Sequence, residues 1–167
     1  MAQPQMESSE PDGSPSERLI RRLIDTFGES VMAPTGSQYE KTLAEHGYRK
    51  LTLTHERGSV NLIFHHTNEA AVELFFLAAE PHQSGLGTKF MQLLTEFADE
   101  AGATLWLEAE PIRYGPGTPI PAKALRRFYE SFWFDEADIP ESWLNSYRRE
   151  HKPPISHPMI RRPRHPS

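Results

Sequence analysis

One stretch constrains the fold more than any other. Ala71-Val72-Glu73-Leu74-Phe75-Phe76-Leu77 is a nearly continuous apolar run of strand length, the pattern of a strand covered on both faces of a sheet. Gly85-Leu86-Gly87 then opens a segment whose Leu86, Phe90, Leu93, Leu94 and Phe97 fall on one helical face, ending near Gly102, and Thr104-Leu105-Trp106-Leu107 follows as a second strand. Strand, helix and strand in close order predict a right-handed parallel crossover. Upstream the apolar period is two. Leu51, Leu53 and His55 alternate with Thr52 and Thr54, a turn falls at 56–59, and Val60-Asn61-Leu62-Ile63-Phe64 completes a hairpin. A hairpin feeding a crossover gives a mixed sheet, and so a mixed α/β fold.

The rest of the chain is arranged around that unit. Residues 1–16 hold three prolines and four serines with little to bury, and are expected as a disordered leader. Ser14-Pro15-Ser16-Glu17 has the spacing of a capping box before a helix with Leu19, Ile20, Leu23, Ile24 and Phe27 on one face. Ser37-x-x-Glu40 repeats the signal for a shorter helix stopped at Gly47. Residues 110–121 are a long Pro/Gly-rich loop. Pro121 suits the first turn of a helix carrying Leu125, Phe128, Tyr129 and Phe132. The expected organisation is a core at 17–134, an insertion with a short helix at 135–157, and a terminal strand and basic tail at 158–167.

Composition narrows the chemistry. The 167 residues contain no cysteine, which excludes disulfide scaffolds, thiolate metal sites and cysteine nucleophiles. His55, His65, His66 and His82 lack metal-ligand spacing, so no metal is expected. No apolar run approaches a membrane span and the N-terminus has no targeting pattern, so the expectation is a cytoplasmic protein without a membrane partner. Net charge is -5, yet residues 147–167 hold six basic side chains against one acid. That asymmetry suits an arm for a polyanion such as nucleic acid, or a solubilising tail.

The junction at 77–88 carries the chemistry. A strand end, a turn with glycines two apart and a helix N-terminus aim several backbone amides at one point, and the helix dipole reinforces them. Ser84 and Thr88 add hydroxyl donors. This is an anion seat, or simply a tight strand-to-helix turn. A Rossmann fingerprint would need a third glycine, a P-loop a Gly-Lys-Ser/Thr, and a serine-hydrolase elbow Gly-x-Ser-x-Gly, and none of these occurs.

These residues resemble the GNAT superfamily of acyl-CoA N-acyltransferases. The family's Arg/Gln-x-x-Gly-x-Gly/Ala signature is matched by His82-Gln83-Ser84-Gly85-Leu86-Gly87, with His82 at the first position. A second family motif, Phe-Tyr-x-x-x-Gly-Phe at a helix end, is matched by Phe128-Tyr129-Glu130-Ser131-Phe132-Trp133-Phe134, with Trp133 in place of glycine. The resemblance implies a mostly antiparallel mixed sheet flanked by helices, and acetyl-CoA as acyl donor to an amine acceptor, without metal or covalent enzyme intermediate. It implies that the fourth and fifth strands splay, that Phe76, Leu77, Ala78 and Ala79 line the pantetheine arm, and that Gln83 to Thr88 hold the diphosphate. Tyr129 stands at the general-acid position. Glu73 is a candidate general base with Glu108 as its rival, and Arg113 and Tyr114 are candidate acceptor contacts. A catalytically silent binding module acting through the basic tail is the competing expectation, with Trp133 filling the thioester end of the cleft.

Overall fold

The structure is a computed structural model that describes residues 13–30, 32, 38–80, 85–109, 120–151, 155 and 157–164. Helix α1 (Pro15–Phe27) starts on a capping box, in which the Ser14 hydroxyl accepts from the Glu17 amide and the Glu17 carboxylate accepts from the Ser14 amide. Ser16 is fully buried and donates to the Asn68 carbonyl, so Ser14 to Ser16 belong to the folded domain and not to the expected leader. The cap and this contact order a stretch whose composition alone reads as coil. Residues 1–12 lie outside the described part.

A two-residue strand β1 (Glu29–Ser30) and helix α2 (Gln38–Glu45) precede the hairpin of β2 (Arg49–His55) and β3 (Gly58–His66). Then come β4 (Ala71–Glu80), α3 (Leu86–Ala101), β5 (Thr104–Glu108), α4 (Ala122–Glu130), a second two-residue strand β6 (Asp135–Glu136), a 3-10 turn (Glu141–Trp143), α5 (Ser146–His151) and β7 (Pro158–Arg161). The described strands form one sheet in the order β1-β2-β3-β4-β5-β7-β6, in which β4–β5 is parallel and every other pairing antiparallel. The mixed, mostly antiparallel sheet, its parallel crossover and the central place of the 71–77 strand agree with the sequence reading. The strands at Glu29 and Asp135 are additions. Two residues are too few to carry a period, and both are charged segments recruited by their neighbours β2 and β7.

Strand alternation divides the molecule into two layers. On the first face, Leu62, Phe64, Val72, Leu74, Leu105 and Leu107 pack against α1 and α3. On the second, Ile63 joins Leu43, Tyr48 and Tyr147, while Trp106 and Ala71 are covered by Ile139, Trp143, Leu144 and Ile155. The stretch expected as an insertion is therefore the lid of a second core. One defect in the alternation matters. Ile63 pairs with Phe76 and Phe64 with Leu74, so Phe75 is a bulge residue in β4. The extra residue reverses the parity: Phe75 and Phe76 both pack on the second face, and Leu77 and Ala79 return to the first.

Candidate active site

Three local features make up the candidate site, two of them where β4 leaves β5. The first is the sheet itself. The parallel register between the two strands covers Ala71↔Thr104, Val72↔Leu105 and Glu73↔Trp106 and stops there, whereas β4 continues to Glu80 paired with β3. On its other edge β5 is paired with β7 from Leu105↔Arg161 to Glu108↔Pro158, so past Trp106 it keeps that partner and no longer pairs with β4. A gap therefore opens between β4 and β5 with Glu73 and Trp106 at its apex. Residues 71–74 are buried and 75–79 only partly so, as expected for a strand that loses cover on one edge. Phe76, Leu77, Ala78 and Ala79 all lie along this edge.

The second feature is the N-terminus of α3. Gly85 is its N-cap, in the left-handed conformation at φ +85°, which glycine reaches without a Cβ penalty. Among the described residues no side chain caps this helix end, and no acid sits in its first turn. Among the described residues, a Cβ at Gly85 would meet nothing within 4 Å. A Cβ at Gly87 would lie 3.8 Å from that of Ala79, which places the first turn of α3 directly against the end of β4. Gly85, Leu86, Gly87 and Thr88 thus form the helix entrance that the sequence predicted as an anion seat. His82, Gln83 and Ser84 lie outside the described residues, as do Arg113 and Tyr114.

The third feature is Tyr129. It is 9% exposed and packs edge-on against Phe128 and Phe134 in the first-face core. Among the described residues no hydrogen bond reaches its hydroxyl. Burial pushes the phenol up to about 12, with no compensating partner. A buried hydroxyl normally has a partner, so this one is a proton donor without a recipient among the described residues.

Glu73 departs from the role expected for it. It is 1% exposed on the second face, where Tyr48 donates to its Oε1 at 3.0 Å and Arg148 donates to its Oε2 through Nε at 2.9 Å and through Nη2. Arg148 Nη1 reaches Glu108 Oε1 at 2.8 Å. Burial pushes the Glu73 carboxyl above the usual carboxylate range, and the Arg148 guanidinium and Tyr48 hydroxyl pull the other way. Three hydrogen bonds engage both oxygens, so Glu73 as it stands is held as the charge partner of Arg148 and is a poorer proton acceptor than a free carboxylate. Both candidate bases are tied to one guanidinium, which the sequence reading had assigned to the basic tail.

Two more arginines of that tail are also engaged. Arg161 is buried, forks onto Asp99 at 2.8 and 3.1 Å and donates to the Phe132 carbonyl at 2.7 Å. Arg164 lies 3.6 Å from the centroid of the Trp133 ring. Trp133 is 59% exposed at φ +74°, so its ring is on the surface beneath Arg164 and does not fill the cleft. Its backbone keeps the conformation for which glycine is suited. Among the described residues no group of three or more His, Asp or Glu is placed to hold a metal, and no helix is long and apolar enough to cross a membrane.

No protein-family model matches the chain, and no curated protein matches it. Solved structures similar to it include a GNAT family acetyltransferase from Elizabethkingia anophelis with acetyl-CoA bound, at 11% identity and TM-score 0.49, covering 80% of this chain and 95% of that one. An acetyltransferase from Bacillus subtilis in complex with CoA is similar at 13% identity and TM-score 0.47, covering 93% of this chain and 95% of its own. A GNAT family acetyltransferase from Staphylococcus aureus Mu50 is similar at 14% identity and TM-score 0.47, covering 90% and 91%.

Proposed function

We propose that the protein is an acyl-CoA-dependent N-acyltransferase that carries acetyl or a related acyl group to an amine by direct attack. The observation that carries this reading is the end of the β4–β5 register at Glu73, with β4 running on for seven more residues to Glu80 and the first turn of α3 set against its end. A linear ligand with an anionic head fits that arrangement. Its diphosphate takes the amides and dipole of the α3 N-terminus, and its arm lies along Ala79, Ala78, Leu77 and Phe76 toward the apex. The thioester then arrives near the bulge at Phe75, between the two cores.

Acyl transfer at that point needs three things. The amine must be neutral to attack, the carbonyl oxygen needs a donor as charge builds on it, and the departing thiolate needs a proton. The bond formed is C–N and the bond broken is C–S. Tyr129 suits the last task, because a phenol held near 12 stays protonated at neutral pH. Arg113 and Tyr114 remain candidate acceptor contacts, and His82, Gln83 and Ser84 candidate diphosphate ligands. A cytoplasmic setting suits a CoA thioester.

The chain offers a clean assay. With no cysteine, it contributes no thiol of its own, so a thiol reagent reads only the CoA released from acetyl-CoA. Amine-dependent thiol release that falls by about 10² or more in Tyr129→Phe supports the reading. Acetyl-CoA binding without release for any amine, unchanged by that substitution, favours the silent binding module.

A further inference from the structure

Arg148 has no role in the scheme above, yet it occupies the apex of the gap. It comes from α5, a six-residue helix, and its guanidinium bridges the last β4 residue paired with β5 to the last residue of β5 itself. The side chain is 4% exposed, with Phe75 and Trp106 rings 5.1 and 5.6 Å from its Cζ. This is a cation in a box of two carboxylates and two aromatic rings. Tyr129 belongs to the opposite layer, packed in the first-face core, while Glu73 opens on the second face. An acceptor meeting a thioester at the apex has to come from the second face, because the first is filled by α1 and α3. Arg148 and α5 lie across that approach.

The fastening of α5 is local. Asn145 caps it, accepting from the Arg148 amide at 2.9 Å and donating to the Tyr48 hydroxyl at 3.0 Å. Tyr147 packs edge-on against Tyr48 and Phe75. Apart from these side chains, α5 adds no strand to the sheet, so it can lift while every strand pairing of β2 to β5 stays intact.

Resting on the acyltransferase reading, we propose that α5 is an autoinhibitory latch: Arg148 occupies the acceptor side of the site as an internal cation, masks Glu73 and Glu108, and must withdraw before an amine is admitted. On withdrawal Glu73 keeps only its hydrogen bond from Tyr48 and loses its counter-charge, so it can take a proton from an incoming ammonium group. The latch therefore sets acceptor entry and leaves donor binding alone.

Hydrogen exchange with mass spectrometry on the full chain, without ligand, tests the opening. Amides of 141–151 should exchange through a local event well before those of β4 and β5, and Asn145→Ala should speed them roughly fivefold while the sheet is unmoved. With acetyl-CoA and n-butylamine, the same variant should raise kcat/KM for the amine by a similar factor and leave KM for acetyl-CoA unchanged. Exchange of 141–151 only together with the sheet would overturn the latch. So would faster exchange with a flat or lower amine kcat/KM, which makes α5 a structural strap. Absence of acetyl-CoA binding in calorimetry sinks the acyltransferase reading, with the exchange arm still deciding whether α5 opens.

Discussion

Tyr129 and Trp133 bracket the end of α4 in opposite environments. The Tyr129 hydroxyl is buried without a partner among the described residues, so Tyr129→Phe removes an unsatisfied group. Urea denaturation should show the variant as stable as the parent, or more so by up to about 1 kcal/mol. Its folded-state value lies above the ordinary 10. The sign follows: the stability tied to the neutral phenol is fully present below pH 10 and is lost as pH rises from 10 toward 12. Absorbance titration near 295 nm should find two tyrosines ionising later than an exposed one: Tyr129, and Tyr48, which burial and the Glu73 carboxylate also push up. Trp133 holds a left-handed backbone that costs a non-glycine residue about 1 kcal/mol, against an Arg164 contact of about 0.5–1 kcal/mol at an exposed ring. Trp133→Ala keeps the strain and loses the contact, whereas Trp133→Gly loses both. The glycine variant should therefore be the more stable of the two by about 1 kcal/mol in thermal unfolding, with acetyl-CoA affinity equal to the parent. A large gain in affinity for Trp133→Gly would show that the ring obstructs the cleft after all.

At the scale of elements, periodicity carried the reading well and long-range charge did not. The two-residue alternation of β2 and β3, the apolar run of β4, the helical face of α3 and the Ser14–Glu17 cap are local patterns, and each appears where its spacing predicts. The glycine turn at Gly85 and the tyrosine on α4 were legible for the same reason. The gap between β4 and β5 was expected only through a family resemblance, since no local signal says where a parallel pair stops. Arg148 was misread because its partners, Glu73 and Glu108, lie 75 and 40 positions away in sequence. A lone signal existed: a glutamate inside an otherwise apolar run needs a buried cation, and that cation had to come from somewhere. Removing it alone should be costly. Arg148→Met leaves two carboxylates facing each other and should lose about 3–5 kcal/mol in urea denaturation, more than Asn145→Ala, whose cap is worth about 1 kcal/mol.

Over the whole molecule, one sheet separates two cores and parts at its centre. The first-face core, α1 and α3 over β2 to β5, supplies stability and positions Tyr129; the second, closed by Ile139, Trp143, Leu144 and Ile155, brings a guanidinium to the apex. Of the six basic side chains of the C-terminal stretch, Arg148 and Arg161 are buried in ion pairs, while Arg149, Arg162 and Arg164 are exposed. The central claim is that the α3 entrance and the open edge of β4 hold an acyl-CoA. Gly85 is a poor place to test it, because its φ of +85° strains any replacement. Gly87 is better: a side chain there meets only ordinary contact with Ala79, and an acid in the first turn suits the helix dipole. The most direct measurement is calorimetric titration of acetyl-CoA into the parent and Gly87→Glu, with unfolding of both followed in parallel. The account predicts saturable binding to the parent and at least a tenfold weaker Kd in a variant that is equally stable or more so. Equal affinity in the two proteins, or no heat from either, would contradict it.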